Sequence, residues 1–303
     1  MKPTAFEYHA PTTADEAVAL LADLGDDAKV LAGGQSLIPM LSLRLAVFEH
    51  LIDVGRIADL RCIQRDNGAV VIGAATVDAA VEASAEVAAA VPLLAQATPW
   101  IGHFQIRNRG TVGGSIAHAD PAAEYPAVAL ALDAEMEALS PRGRRRIPVA
   151  DFFTGFWSTD LQPDELLVSI RFPVWTGRCG FGVREFARRH GDFAIAGAMV
   201  ATELDSDDEI RRCAISLLGL GPTPLRATAT EKALQGQSAA VSPDEVGRLA
   251  MSEVSEAPSD LHGSAEYRTR VGVAMVARAW IEAIGCAADA QGRASMHGPG
   301  GNP

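Results

Sequence analysis

The sequence is poor in residues that could hold a metal cluster. Its 303 residues include only four cysteines, Cys62, Cys179, Cys213 and Cys286, lying far apart. No two form a CxxC pair, so neither a zinc ribbon nor an iron–sulfur site is supported from within this chain. Scattered thiols of this kind suit a reducing compartment. A basic surplus is missing too: the formal net charge is -12. A surface of that sign repels phosphate backbones and argues against nucleic acid as the main partner, while leaving room for a local basic cleft. No uninterrupted apolar run reaches about 18 residues, so no membrane span is expected. The first seventeen residues lack the apolar core of a signal peptide. Together these absences make the cytoplasm the expected compartment. Two nucleotide signatures are also missing. No GK[ST] follows a glycine loop, and Gly219-Leu220-Gly221 runs into Pro222 instead of toward a third glycine. Ser36 and Ser115 lack a His and Asp at recognisable spacing, so nucleophilic catalysis is not supported.

What is present is enough apolar material for a sizeable core: 48% of residues are hydrophobic and 21% charged. Thr13-Ala14-Asp15-Glu16 reads as a capping box, followed by Val18, Leu20, Leu21 and Leu24 at helical spacing and a stop at Gly25. Lys29–Leu31 and Leu51–Val54 read as short strands. Asp66-Asn67-Gly68 between Arg61–Arg65 and Ala69–Ile72 predicts a tight hairpin. Thr76 is placed to cap a helix running through Ala83. Pro92 is expected to kink or split an alanine-rich helix over Glu86–Ala97. Asp120-Pro121 predicts a helix start. Arg142, Arg144, Arg145 and Arg146 cluster in a second hairpin, as a solvated turn or as a docking patch. Pro173–Gly177 punctuates the chain. Tyr267, Val271, Ala274, Met275, Arg278 and Ile281 mark one stripe of a helix over Ala265–Ile284.

Two segments stand out chemically. Ala32-Gly33-Gly34-Gln35-Ser36 and Thr111-Val112-Gly113-Gly114-Ser115 each join adjacent glycines to a hydroxyl and a small residue. Adjacent glycines permit positive φ and remove Cβ atoms, which lets backbone N–H groups converge on an anion. A plain tight turn explains either pair equally well. His103 and His118 flank the second loop without matching partners and read as structural.

These loops, with their flanks Leu37–Met40 and Ile106–Gly110, resemble the FAD-binding medium subunit of the molybdenum hydroxylases, the family of xanthine dehydrogenase and aerobic carbon monoxide dehydrogenase. The likeness continues through Asp120–Glu124, Leu166–Ile170, Arg188–Ala194, Gly219–Arg226 and Glu266–Arg268. The resemblance implies an α+β chain: a two-subdomain, PCMH-type FAD-binding domain over 1–177, divided at about 57/58, then a smaller α/β C-terminal domain over 178–286. Residues 287–303 are expected to be a disordered tail. The resemblance further implies that Ala32, Gly33, Gly34, Gln35, Ser36 and Leu37, with Thr111, Val112, Gly113, Gly114 and Ser115, wrap the FAD diphosphate. Ile101 and Leu167 match apolar cofactor contacts, and Glu124 an acidic position near the ribitol and adenine end. Arg184 matches a basic position near the flavin, and Phe193 a position beside the isoalloxazine. That last position looks like tyrosine in relatives that oxidise carbon monoxide; phenylalanine here counts against that substrate. By the same resemblance the chain passes electrons from the [2Fe–2S] clusters of a small subunit, through FAD, to an external acceptor. A large subunit would carry the molybdenum cofactor, and the assembly would be a dimer of heterotrimers. The alternative is a stand-alone FAD-dependent oxidoreductase with its own substrate pocket.

Overall fold

The computed structural model describes residues 2–296. Its chain divides into two compact units. Among the described residues, one comprises 2–91, 98–120 and 133–174; the other comprises 92–97, 121–132 and 175–296. The second unit thus borrows two segments from the N-terminal half, which the punctuation at Pro173–Gly177 does not reveal.

The first unit begins with a parallel sheet of three short strands, Glu7–His9, His50–Asp53 and Ala28–Leu31, in that spatial order. Parallel neighbours need crossovers. The helix Ala14–Leu24 is one, and its capping box forms as the sequence predicts: the Glu16 amide donates to Thr13 Oγ1 at 3.2 Å while the Glu16 carboxylate accepts from the Thr13 amide. Ala17, Val18 and Leu21 on this helix share a core with Ala28 and Ile52 of the parallel sheet and with Leu139, Leu166 and Val168 beyond it. The last three belong to an antiparallel five-stranded sheet in the order Ile63–Asp66, Ala69–Gly73, Leu166–Pro173, Glu135–Ser140, Gly143–Pro148. Its first hairpin turns at Asn67 (φ 43°) and Gly68 (φ 80°), the left-handed pair expected of an Asn-Gly turn. Its second carries the arginine cluster, and each arginine meets a carboxylate of the same unit: Arg142 with Asp164, Arg144 with Glu137, Arg145 with Asp160 and Glu165, Arg146 with Glu135. The cluster is an ion-pair network at the sheet edge.

The second unit is an antiparallel sheet of Arg178–Phe186, Ala196–Leu204, Ile210–Leu218 and Leu225–Arg226. The long C-terminal helix Ala265–Met296 packs on it through Val276, Ala279, Trp280, Ala283 and Ala287. The buried stripe is therefore rotated from the predicted one, and Ile281 stands 58% exposed. The backbones come unusually close because Gly180 and Gly182 on the first strand have no Cβ to strike the carbonyls of Ala283 and Ala279. This helix has the length and apolarity to cross a bilayer, but its largest side chain, Trp280, lies in the unit's core. The helix also continues to Met296, through much of the stretch expected to be a disordered tail; residues 297–303 of that expectation lie outside the described residues. Arg268, buried at 4% exposure, donates to the carbonyls of Ile195 and Gly219 and to Asp260, pinning the loops at the sheet end.

Pro92 splits its helix into Ala85–Ala90 and Pro92–Ala97. Two start signals misplace their helices. Thr76 donates its hydroxyl to the Cys62 carbonyl, and the helix there is only Asp78–Glu82, capped at Val77. Asp120 accepts from the Trp157 indole instead of capping, and the helix after Pro121 begins at Glu124.

Candidate functional site

The first glycine turn leaves the strand Ala28–Leu31 and enters the helix Leu37–Leu43. Gly34 sits at φ +74°, a region that L side chains rarely adopt. Gln35 folds back and donates through Nε2 to the Gly33 carbonyl at 3.2 Å. Among the described residues, the amides of Gly34, Gln35, Ser36 and Leu37 donate to no protein acceptor. Successive open amides around a positive-φ glycine make a concavity suited to an anion.

The second turn is built differently from expectation. It is the first turn of the helix Val112–His118, capped by Thr111, whose Oγ1 accepts from the Gly114 amide at 3.1 Å. The Val112 amide is bonded to the Thr76 carbonyl, that of Gly113 to Ala74, and that of Ser115 to Thr111. The backbone donors of Val112, Gly113, Gly114 and Ser115 are thus occupied. Its glycines serve approach: a Cβ on Gly113 would collide with Ala74. Likewise the positive helix end near the turn belongs to Val112–His118, not to a helix starting at Pro121.

The structure brings the two turns together. A Cβ on Gly33 would lie 2.8 Å from the Arg109 carbonyl carbon and from the Gly110 α-carbon, and one on Gly114 would lie 3.5 Å from the Ala32 Cβ. Beside this junction is a cavity of about 410 Å³ lined by Leu31–Gln35, Ile38, Pro39, Asp53 and Arg109. Arg109 and Asp53 are residues that motif reading passed over. Asp53 is held by Tyr8, whose hydroxyl donates to Oδ2 at 2.5 Å, and by the Gly55 amide at 2.8 Å on Oδ1. The two arginines of Ile106–Arg109 divide their work. Arg107 pairs with Glu82 and donates to the carbonyls of Ile101 and Gly102, which fixes Ile101 in its turn. Arg109 makes no ion pair among the described residues and brings a positive charge to the cavity.

The other expected residues lie on separate elements of the two units. Leu167 is buried in its strand beside a β-bulge. In the second unit, Glu124 opens the helix Glu124–Ala131 and is nearly buried. Burial, then the Glu124 charge, pushes the Glu185 carboxyl well above the usual range, and among the described residues Glu185 Oε2 finds no hydrogen-bond partner. Arg184 pairs with Glu282 at 2.6 Å. Phe193, 65% exposed, presents a bare aromatic face. His118 stacks on Trp157 at 5.7 Å, and burial lowers its pKa, in keeping with a structural role. Burial, then Glu203, raises the Cys179 thiol to about 11; burial, then Glu231, raises Cys213 to about 12. Both are inert thiols rather than cluster ligands.

Two family models cover nearly all of the chain. The FAD binding domain in molybdopterin dehydrogenase matches residues 4–175, and the CO dehydrogenase flavoprotein C-terminal domain matches 182–283. The chain belongs to the FAD-binding medium subunits of the molybdenum hydroxylases. It is 42% identical to the carbon monoxide dehydrogenase medium chain of Hydrogenophaga pseudoflava, over 92% of this chain and 97% of that one. With the caffeine dehydrogenase subunit beta of Pseudomonas sp. (strain CBB1) the identity is 38%, over 92% and 95%. Among solved structures, quinoline 2-oxidoreductase from Pseudomonas putida 86 matches with a TM-score of 0.89 at 32% identity, covering 95% of this chain and 99% of that one. This flavin subunit is accordingly an oxidoreductase component whose cofactor is FAD, while molybdenum and iron–sulfur groups belong to other subunits in such relatives. The open amides at Gly34–Leu37, the positive-φ Gly34 and the uncommitted Arg109 fit a diphosphate.

Proposed function

We propose that this flavin subunit relays electrons from the [2Fe–2S] clusters of a small partner subunit, through FAD, to an external acceptor. Oxidation of the organic substrate would occur on a large molybdenum-cofactor subunit, within a cytoplasmic dimer of heterotrimers. The observation that carries this reading is the meeting of the two glycine turns beside a cavity with open amides and a free arginine. FAD, when bound, supplies an electron carrier able to exchange with one-electron and two-electron partners.

The chain's own residues do the holding. The amides of Gly34–Leu37 and the Arg109 guanidinium take the diphosphate, with Ala32, Gly33 and the backed-up turn Thr111–Ser115 keeping the approach free of side chains. Asp53 supplies a fixed acceptor for a sugar hydroxyl. Ile101 and Leu167 are apolar contacts. The resemblance assigns Phe193 of the second unit to the ring system, Glu124 to the ribitol and adenine end, and Arg184 to the flavin. The four separated cysteines, two of them inert, support placing the clusters in a partner.

The test is to purify the subunit with and without its co-expressed partners, and to record visible spectra, metal content and turnover. The complex is expected to show flavin and iron–sulfur absorption that bleaches with substrate; the subunit alone is expected to show flavin and no turnover. Substrate oxidation by the metal-free subunit alone would overturn the relay and favour an independent oxidoreductase. Failure to take up FAD would overturn the site.

A further inference from the structure

The geometry points to a binding site for one Zn²⁺ ion formed by Glu7, His9 and His50, on a part of the first unit that the flavin site does not use. His9 Nε2 lies 3.2 Å from His50 Nδ1, and Glu7 Oε2 lies 3.5 Å from the same His50 nitrogen. All three donor atoms fall within 4.8 Å of one another. Zinc–nitrogen and zinc–carboxylate bonds of about 2.0–2.2 Å at tetrahedral angles put neighbouring donors roughly 3.3–3.5 Å apart. Two edges of that figure are already in place.

The backbone explains why. Glu7 and His50 are direct partners in the parallel ladder, and His9 is two residues beyond Glu7. Side chains two apart on a strand share a face, so all three project from one side. Leu51 and Asp53 alternate to the other side, and Asp53 is the member of this strand that lines the flavin-side cavity. The two imidazoles are half-buried while Glu7 is 74% exposed. The histidines are therefore held, and the exposed carboxylate is free to swing inward to close the third edge. Solvent access leaves a fourth position for water. Two imidazoles and one carboxylate favour zinc over magnesium or calcium, which prefer all-oxygen shells. The surplus of negative charge on the chain raises the local concentration of any cation. Without metal, a hydrogen bond between the two ring nitrogens keeps the site formed.

A bound ion would tie the N-terminal strand to the central one across 41 residues of chain. Because Tyr8 between the two ligands holds Asp53, the ion would also steady the strand end beside the cavity.

The test uses the full chain without a histidine tag, stripped by chelator and titrated with Zn²⁺ by calorimetry, with Co²⁺ as a visible probe. One ion per chain with micromolar or tighter affinity is expected, together with a raised melting temperature and Co²⁺ d–d bands of four- or five-coordinate intensity. His9→Gln and His50→Gln should each weaken Zn²⁺ binding at least 100-fold, and Glu7→Gln about 10-fold. Melting of the metal-free chain should be unchanged for the exposed Glu7 variant. If His50→Gln fails to fold, His9→Gln and Glu7→Gln carry the comparison. Zn²⁺ affinity weaker than 100 μM, equal binding by the variants, or an equal response to Mg²⁺ would each overturn the site.

Discussion

Replacing Gly33 with alanine tests the junction on which the flavin site rests. The new Cβ would lie 2.8 Å from two carbon atoms of Arg109 and Gly110, and closer still to the Arg109 carbonyl oxygen. Carbon atoms pack at about 3.5–4.0 Å, so the turns must part by roughly 0.7–1.2 Å. The obstacle is backbone, which cannot rotate away as a side chain end does. Overpacking of this kind costs about 1–3 kcal/mol. Since the parting displaces Arg109 and the amides of Gly34–Leu37 together, most of that cost should fall on ligand binding. At 1.4 kcal/mol per tenfold, FAD affinity should drop roughly 5- to 150-fold. The assay is FAD titration of the apo-subunit by flavin fluorescence, paired with a thermal melt followed by circular dichroism. Gly285→Ala is the control: its Cβ meets nothing within 4 Å, it lies inside the C-terminal helix, and it should leave FAD affinity unchanged while adding up to about 1 kcal/mol of helix stability. FAD affinity within twofold of wild type in a folded Gly33→Ala subunit would show that the junction of the two turns does not shape the flavin site.

Arg109→Ala should weaken FAD about tenfold and flatten the salt dependence of binding, because a charge-assisted bond to phosphate is worth roughly 1.5–3 kcal/mol and part of it is screened; unchanged affinity across a salt series would count against Arg109. Arg145→Leu should destabilise the first unit by about 2 kcal/mol in urea melts. It strips a two-pronged partner, both bonds at 2.7 Å, from the almost fully buried Glu165, a loss discounted for the partial exposure of Arg145. Burial pushes the Glu165 pKa up, but Arg145, the Gln162 amide and Arg142 pull it down further, to a net value below the ordinary 4.5. That contribution is therefore present above pH 4.5 and lost as pH falls through the folded value, so wild type and variant should converge in acid. Glu185 works the other way. Its folded pKa is raised, by burial and then by Glu124, so the unfolded chain binds fewer protons and stability should fall as pH rises from 4.5 through neutrality. Glu185→Gln should remove that slope, as read from melting temperatures across pH.

Much of the fold was legible where the signal is local. The Thr13–Glu16 box, the Asn67-Gly68 turn and the break at Pro92 depend on residues a few positions apart, and each forms as read. The glycine pairs were legible as special, but not their division of labour. Two of the second turn's amides, those of Val112 and Gly113, are consumed by the carbonyls of Thr76 and Ala74, 36 and 39 residues earlier in the chain. The role of Arg109 depends on Gly33 meeting its carbonyl across 76 residues, and only its neighbour Arg107 has acidic partners to absorb it. Trp280 escaped because the long helix is apolar around much of its circumference, so which stripe is buried is decided by the glycines of the facing strand. His9 and His50 carry no spacing signature at all; the ladder register alone joins them.

The chain passes between its two units five times, at 91/92, 97/98, 120/121, 132/133 and 174/175. The family models divide it once, near 175–182, as though it were two cartridges joined end to end. It is better compared to a seam stitched back and forth. A gene cut at the apparent boundary would strand Leu93, Leu94, Ala127 and Val128, all fully buried, on a fragment lacking the sheet they pack against. On the ribosome those two helices emerge at least 47 residues before the strands of that sheet begin, so the second unit cannot close until nearly the whole chain has been made. Exchange of one segment between related flavin subunits would therefore have to rematch the buried faces of those two helices to a foreign sheet.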